Sequence, residues 1–569
     1  MLLLNRSLVV LLSLTLLLSS CSSQRNTKQM VVRQGHTGAD PKTFNPLTAT
    51  DATSSNYAEM LFLGLVEHDP DTYEIVPYLA ESFELKDSGK RILVKLRDDI
   101  FWSNGVKITA DDVVYTWNDL LRDGIATSSL KDILSVDGEF PQVRKISERE
   151  IEFKTKKVFA PFLDSLGTNI LPKHAIEAFF EENEAKTFED KQKAFNNYLN
   201  IYMSPEKIVS SGPYLFERLD SGERIVLKKN PLFFLKDKEG VDLPYADKMI
   251  YTFSKDTTAG VFKFLADEIY FLGVTPKTAA LMKSLEDRYN FKLFENGPSS
   301  GTNFFWFNLS KNVPEPKYSW FNNKEFRRAV SYAIDRQAII NNVFEGLAAP
   351  LYTAEPLKSP FFDETIEEYP RDMNKAKAIL KEQGFNLKDG ILYDAKGNKV
   401  EFDFYTNSGT PERELMAVIV KSNLEELGIK TNIKILEFNN FVGKLMQGKD
   451  YDAGIIALTG GNEPNGGANV WKSDGRLHLF DVKKFQDDPV IRPWEKEVDR
   501  LFNAGVQTLD FDERKAIYSK FQRIIYEENP LIYLVSPLGF GLAKNYIRNV
   551  KKHKYGGLVP HNYSIFVEN

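Results

Sequence analysis

The sequence predicts an α/β fold divided among more than one domain, and three observations carry that expectation. At 569 residues, 42% of them apolar, the chain exceeds what a single hydrophobic core usually fills. Between residues 402 and 458, short β-branched and aromatic runs alternate with amphipathic helical stretches, the pattern of parallel strands joined by helices. The segment Asn296-Gly-Pro-Ser-Ser-Gly-Thr-Asn303, rich in small and turn-forming residues, precedes the apolar run 304–309 and marks a crossing between domains.

Residues 1–20 differ in kind from the rest. They carry Asn5 and Arg6, an apolar run over 8–18, and then Ser19 and Ser20 before Cys21. That run is shorter than the roughly 20 helical residues a bilayer requires, so it reads as a signal peptide for export. Leu18-Ser-Ser-Cys21 resembles the lipobox of bacterial lipoproteins, and it contains the chain's single cysteine. On that reading Cys21 carries lipid and anchors the protein to a membrane, with polar residues 22–29 as a tether. The remainder is expected outside the membrane.

Residues 30–33 predict a first strand. Before the helical stretch 57–63, Ser54 or Ser55 is the expected cap, with a ligand at the same helix N-terminus as the functional alternative. Residues 83–85 and 92–96 predict paired strands with Asp87-Ser-Gly-Lys90 as their turn. Thr109 and Asp112 have capping-box spacing, and Val113, Trp117, Leu120 and Leu121 recur at helical intervals. Asp111 and Asp112 are therefore helix-start charges, not catalytic acids. Residues 181–197 read as a charged, exposed helix with a loop, 214–217 and 224–228 as a second hairpin, and 249–253 as a strand.

Beyond the crossing, 326–335 and 374–383 are amphipathic helices, the second ended by Gly384. Strand 402–405, helix 412–427 and strand 430–436 make a right-handed βαβ unit, and helix 440–446 leads to strand 454–458. A helix over 511–527 and a strand over 531–535 complete the pattern. Loops 406–409 and 459–462 then lie at carboxyl ends of strands, where open α/β sheets bind ligands. The second is rich in glycine and brings backbone groups close to a guest.

Charge and motifs narrow the function. Lysine and arginine number 73 against 79 acidic residues, a formal charge of −6, with no basic block to follow a phosphate backbone, so nucleic acid is not an expected partner. The six histidines are scattered without metal-ligand spacing, and no serine-hydrolase elbow or zinc signature occurs. Neither catalytic residues nor a metal or cofactor are expected. Gly443 to Lys449 has phosphate-loop spacing, but Asp450 replaces the magnesium-binding hydroxyl and the motif closes a helix instead of opening one. Paired carboxylates of an exported hydrolase, acting on a polymer or peptide, stand as the alternative.

Several blocks, in order, resemble the peptide-binding class of bacterial extracellular solute-binding proteins, which deliver cargo to ABC importers. They are Leu61-Phe-Leu-Gly-Leu65, Leu79-Ala-Glu-Ser-Phe83, Leu96-Arg-Asp-Asp-Ile-Phe-Trp-Ser-Asn-Gly105, Thr109-Ala-Asp-Asp-Val113, Gly212-Pro-Tyr214, Arg328-Ala-Val-Ser-Tyr-Ala-Ile-Asp-Arg336 and Gly428-Ile429. The resemblance implies a two-lobed periplasmic-binding-protein type II fold with an extra subdomain. Lobe one takes residues 30–65, 210–298 and 536–569, the extra subdomain 66–209, and lobe two 299–535. It further implies a monomer that encloses a peptide or similarly sized polar solute as its lobes close, then passes it to an importer permease.

The same resemblance places the ligand against Thr50, Asp51, Ala52 and Ser54 of lobe one, and against Ser299, Ser300, Gly301 and Thr302 at the crossing. From lobe two it adds Asn407, Ser408, Phe438, Leu458, Thr459, Gly460, Gly461 and Asn462. Phe438 stands where relatives often carry a tryptophan that stacks over ligand. Gly460 stands where relatives that grip a peptide's amino group carry an aspartate, which leaves Glu463, Asp51 or backbone carbonyls to meet such an amine.

Overall fold

The structure, a computed structural model, describes residues 29–568 except positions 39, 129, 137, 448, 449, 484, 485, 487, 488, 556 and 560. The signal peptide, Cys21, most of the tether, and Gly448 and Lys449 of the phosphate-loop-like motif lie outside the described residues.

Two large mixed sheets organise the chain. In the first, Val31–Thr37 runs parallel to both Lys248–Ser254 and Phe271–Val274. Tyr214–Asp220 and Arg224–Lys229 extend it on one side, and Val535–Lys544 and Phe291–Pro298 on the other. The second sheet has the order Lys430–Leu436, Glu401–Asn407, Ala453–Thr459, Gly301–Phe307, Leu531–Tyr533, and its first three strands are parallel. A four-stranded antiparallel sheet of Ala80–Lys86, Arg91–Leu96, Glu150–Lys154 and Gln142–Lys145 belongs to the insertion between them.

Gly301–Phe307 is an interior strand of the second sheet, and Phe304-Phe-Trp-Phe307 is apolar on both faces, as a strand covered by helices on both sides requires. The neighbouring strand must accommodate Trp306: a Cβ at Gly454 would lie 2.4 Å from its ring. Tight packing of this kind fixes the register Trp306 opposite Gly454.

Local signals translate directly into several elements. Thr109 and Asp112 form a reciprocal capping box, with the Thr109 N–H donating to Asp112 Oδ2 at 3.0 Å. Val113, Trp117, Leu120 and Leu121 are all buried, although from Tyr115 the helix widens into a π-helix closed by the Asp123 N–H on the Asn118 carbonyl. The charged stretch 181–197 is a loop and a helix as expected: residues 181 and 182 close helix Lys173–Glu182, and after the loop Thr187 and Asp190 form a second capping box that opens helix Phe188–Asn197, anchored by the buried Phe195. The expected cap at Ser54 or Ser55 is replaced by Asp51, whose carboxylate accepts from the Ser54 N–H at 2.9 Å, a charge-assisted bond at a helix N-terminus. The expected strand 531–535 divides at Leu534, so that Leu531–Tyr533 completes one sheet and Val535–Lys544 enters the other.

A buried ionic network stiffens the exit from strand Gly301–Phe307. Glu495 accepts from Lys483 at 2.9 Å and from Arg492 at 3.2 Å and pairs with His478 at 2.9 Å, while Asp481 takes Lys483 and Arg492, each at 2.6 Å. Arg492 also donates to the Leu309 carbonyl at 2.6 Å. Desolvation opposes the charge on Glu495, but the His478 hydrogen bond and the two cations prevail and hold its carboxyl down at about 2. With the folded value depressed below the ordinary 4.5, its stabilisation is complete above about 4.5 and is lost as pH falls towards about 2. Glu495→Gln, which strands buried cations, is expected to cost about 3 kcal/mol at neutral pH. Denaturant unfolding should show that deficit shrinking as pH is lowered through the same window.

Candidate functional site

Strand direction determines what the two sheets present to each other. In the second sheet Gly301 pairs with Thr459, so the carboxyl ends of the parallel strands lie on the edge where the chain enters from Pro298 and leaves through Leu534. In the first sheet Val274 pairs with Phe540 and Pro298 with Leu538, so the carboxyl ends of its parallel strands also point to the junction. Two sets of strand ends thus flank the same crossing, the arrangement of an interdomain ligand cleft.

On the first side, Asp51 caps helix Ala52–Leu61, its second oxygen accepting from Ser54 Oγ at 2.8 Å. Ser54 is fully buried and accepts from the Lys42 N–H at 2.9 Å. Both side chains are thereby committed to shaping the helix start. Thr50 lines a cavity of about 330 Å³, together with Ser55, Glu59, Thr127, Ser128 and Asn169. Ala52 is exposed beside it.

Ser299 to Thr302 stitch the crossing together. The Ser299 N–H donates to the Pro537 carbonyl at 2.9 Å, Ser536 Oγ donates to the Ser299 carbonyl at 3.0 Å, and Thr302 Oγ1 donates to the Leu458 carbonyl at 3.4 Å. The Ser300 carbonyl accepts from Gly460 N–H at 2.9 Å. Ser299–Thr302 and Leu458–Gly461 therefore form one continuous surface.

Beside them, Asn407 is buried and accepts from Arg413 through Oδ1 while its amide donates to the Ser408 carbonyl at 2.8 Å. Ser408 is exposed. Phe438 opens helix Phe438–Gln447 and is 43% exposed, so it is a rim residue and not core.

Gly460 has a physical reason to be glycine. A Cβ there would lie 2.4 Å from Pro356 Cγ and 2.7 Å from the Ser300 carbonyl oxygen, which leaves no room for an aspartate. Glu463, three residues on, caps the turn Pro464–Gly467 and pairs with Arg514. Its pKa is raised by desolvation in spite of Arg514. Behind Gly460, the buried Glu355 is pushed up to about 7 by desolvation, against a stabilising hydrogen bond from Ser359.

Several residues at this junction carry no local signature in the sequence. Asn462 is half-buried at the end of the loop that follows Thr459. Tyr73 stacks on His68 with ring centroids 4.2 Å apart, and His68 pairs with Asp164. Asn465 Nδ2 donates to the Ile133 carbonyl at 2.9 Å, and Arg476 lies 3.0 Å from Asp132. Tertiary partners up to several hundred residues apart create these contacts, and no spacing rule anticipates them.

Comparison with known proteins agrees with this geometry. The family described as bacterial extracellular solute-binding proteins, family 5, middle region, matches residues 74–476. A probable ABC transporter-binding protein of Deinococcus radiodurans is 28% identical over 522 residues, covering 87% of this chain and 85% of the relative. The oligopeptide-binding protein AppA of Bacillus subtilis is also 28% identical, over 557 residues, covering 93% of this chain and 92% of its own. The solved structure of that protein in complex with a nonapeptide superposes with a TM-score of 0.74 at 25% identity, covering 95% of this chain and 100% of the other.

Two outcomes test the junction. Gly460→Asp should destabilise the protein by about 2 kcal/mol through overpacking, whereas Gly461→Asp, where a Cβ meets nothing nearer than 3.9 Å, should leave the melting temperature nearly unchanged. Burial lowers the His68 pKa, but the Asp164 hydrogen bond and charge outweigh it and the net shift is upward. A raised folded-state value means stabilisation that is complete below the ordinary 6.5 and lost as pH rises through the folded value. His68→Gln is therefore expected to lower the melting temperature more at pH 6 than at pH 8.5.

Proposed function

The chain belongs to the bacterial extracellular solute-binding proteins of family 5, with the α/β type II periplasmic-binding-protein fold, and on that premise we propose that it is a lipid-anchored receptor for an ABC importer. In this reading it captures a peptide or similarly sized polar solute between its two lobes and passes it to the importer permease without chemical change. Cys21 carries the lipid and keeps the single chain at the outer face of a membrane. Lobe one comprises 30–65, 210–298 and 536–569, the insertion 66–209, and lobe two 299–535.

The observation that carries the reading is the meeting of two sets of parallel-strand ends at a double chain crossing, in a chain whose family binds solutes. A ligand touching both sets favours the closed arrangement by the difference between its affinities for closed and open forms. The surfaces available to it are the exposed side chains of Thr50, Ser300, Ser408 and Phe438 and the backbone of 459–462. Asp51, Ser54 and Asn407 act behind them as positioning residues.

Peptide is the cargo class that the named oligopeptide-binding relative supports. Its α-amino group gains no free carboxylate at the expected places, because Gly460 has no side chain, Glu463 is paired with Arg514 and Asp51 caps a helix. Recognition of the cargo's backbone and side chains, not of a free amine, follows.

Calorimetry on mature protein stripped of endogenous ligand tests this. Peptide pools should give saturable heat and a thermal shift, and an N-acetylated peptide should bind within about threefold of its free-amine parent. A preference of more than about tenfold for the free amine would overturn the amine argument, and no response to any pool of peptides, sugars or metal chelates would overturn the receptor assignment. Cys21→Ser should abolish incorporation of labelled fatty acid and release the protein from membranes.

A further inference from the structure

Between helix Ala52–Leu61 and the insertion lies the cavity of about 330 Å³ that Thr50 borders. Residues 46–50 and the helix supply one wall, and residues 127, 128, 130 and 167–169 of the insertion supply the other; none of it comes from residues 299–535. Its volume stands at the small end of the range for ligand pockets, with room for about a dozen non-hydrogen atoms.

The wall is rich in hydroxyls, and most of them are uncommitted. Those of Thr48, Thr50, Ser55 and Thr127 have no hydrogen-bond partner among the described residues, and none of the four residues is buried, so each is open to a guest. Every such hydroxyl can both donate and accept. Three neighbours are held in place by the protein itself. Ser128 Oγ accepts from the Leu130 N–H at 3.2 Å, Thr168 Oγ1 donates to the Ser165 carbonyl at 2.8 Å, and Asn169 Nδ2 donates to the Phe62 carbonyl at 2.6 Å. Those bonds leave a donor on Ser128 and acceptors on Thr168 and Asn169.

Charge is nearly absent. Glu59 is the single titratable side chain of the wall among the described residues, with no lysine, arginine or histidine beside it there. It is accessible to solvent and makes neither an ion pair nor a side-chain hydrogen bond within the described residues. Enclosure raises its pKa by desolvation. A carboxyl so placed offers two acceptor oxygens on one carbon, a spacing that matches two hydroxyls on adjacent carbons.

We propose that this cavity is a binding site for a small neutral polyol, a carbon chain or ring with hydroxyls on adjacent atoms, in which Glu59 accepts from one adjacent pair and Thr48, Thr50, Ser55 and Thr127 exchange hydrogen bonds with the rest. Leu47, Ala58 and Leu130 supply the apolar part of the wall for the ligand's carbon skeleton. The site adjoins the proposed cargo surface at Thr50, but it goes beyond the importer-receptor reading and does not depend on it.

Sorbitol and 1,6-hexanediol, six-carbon chains with and without adjacent hydroxyls, make the test, and glucamine, which is sorbitol with one terminal hydroxyl replaced by an amine, adds a charge. Titration calorimetry on the full mature chain should show saturable sorbitol binding with a Kd below about 10 mM, about tenfold or more tighter than 1,6-hexanediol and within about threefold of glucamine. Glu59→Ala, Ser55→Ala and Thr127→Val should each weaken sorbitol about threefold or more while leaving the melting temperature unchanged, since none of these side chains bonds to the described protein. Should any variant fold poorly, the ratio of sorbitol to 1,6-hexanediol affinity on the parent decides alone. Absence of saturable heat up to about 50 mM sorbitol, equal affinity for 1,6-hexanediol, a preference of more than about tenfold for glucamine, or variants that fold normally and bind as well as the parent would each overturn the proposal. Sorbitol is not a peptide, and the cavity has no wall in residues 299–535, so failure here leaves the cargo assignment standing, and failure of peptide binding leaves this site standing.

Discussion

The structure depends on a pair of backbone connections, residues 298–301 and 533–535, through which the chain passes from one large sheet to the other and back. They are not independent tethers. Phe291–Pro298 and Val535–Lys544 are antiparallel neighbours, and the Ser299 N–H to Pro537 carbonyl bond of 2.9 Å continues their ladder to the point of departure. A two-stranded ribbon of this kind bends and twists readily but resists sliding, since sliding would break every rung together. The register shift between Glu295 and Gly297 places a bulge at the ribbon's end, and Gly297 holds a φ of +74° that side-chain-bearing residues rarely adopt. A bend in this ribbon would be concentrated just before the sheets separate and would preserve the order of strands on either side.

Residues 299–535 meet the insertion through the Ala160 N–H to Val506 carbonyl bond at 2.6 Å, through Asn465 on the Ile133 carbonyl, through the solvent-facing Arg476–Asp132 pair, and through the buried Val506 side chain, which joins the core that the insertion shares with the first sheet. Exposed ion pairs contribute little, and single neutral hydrogen bonds roughly 1 kcal/mol each. The core around the second sheet is far more costly to disturb: Trp306 against Gly454 locks two neighbouring strands, and the buried Glu495 network ties the exit from Gly301–Phe307 to helix Pro493–Gln507.

This hierarchy also explains what was legible in the sequence. Elements whose cause lies within a few residues could be read: the capping box at Thr109, the apolar run that became Gly301–Phe307, and the βαβ unit seen as Glu401–Asn407, Pro411–Glu426 and Lys430–Leu436. The strand-end loops were legible too, because apolar runs that stop at glycine and asparagine mark where strands end. Which side chains in those loops are free was not legible. Ser54 is consumed by Asp51 and Lys42, Asn407 by Arg413, and Glu463 by Arg514, and the last of these pairs spans 51 positions. The cavity of about 830 Å³ lined by Gln34, Tyr57, Asn296 and Phe540 together with residues of the insertion is further removed from any local pattern, since these residues become neighbours only through the tertiary fold.

The absence of a side chain at Gly460 is then one part of a wider redistribution of charge. Pro356 and the Ser300 carbonyl fill the space, and Glu463, itself paired with Arg514, adds to the desolvation that pushes the Glu355 carboxyl up. A third carboxylate at that point would add like-charge repulsion in a desolvated setting, where it is least screened. Carboxylates bordering a cavity occur instead at Glu59, on helix Ala52–Leu61, and at Glu67, in strand Val66–His68. An aspartate on the strand-end loop would have placed its charge at the chain crossing itself, where one carboxyl, Glu463, is already paired with Arg514 and the other, Glu355, is already pushed towards its neutral form.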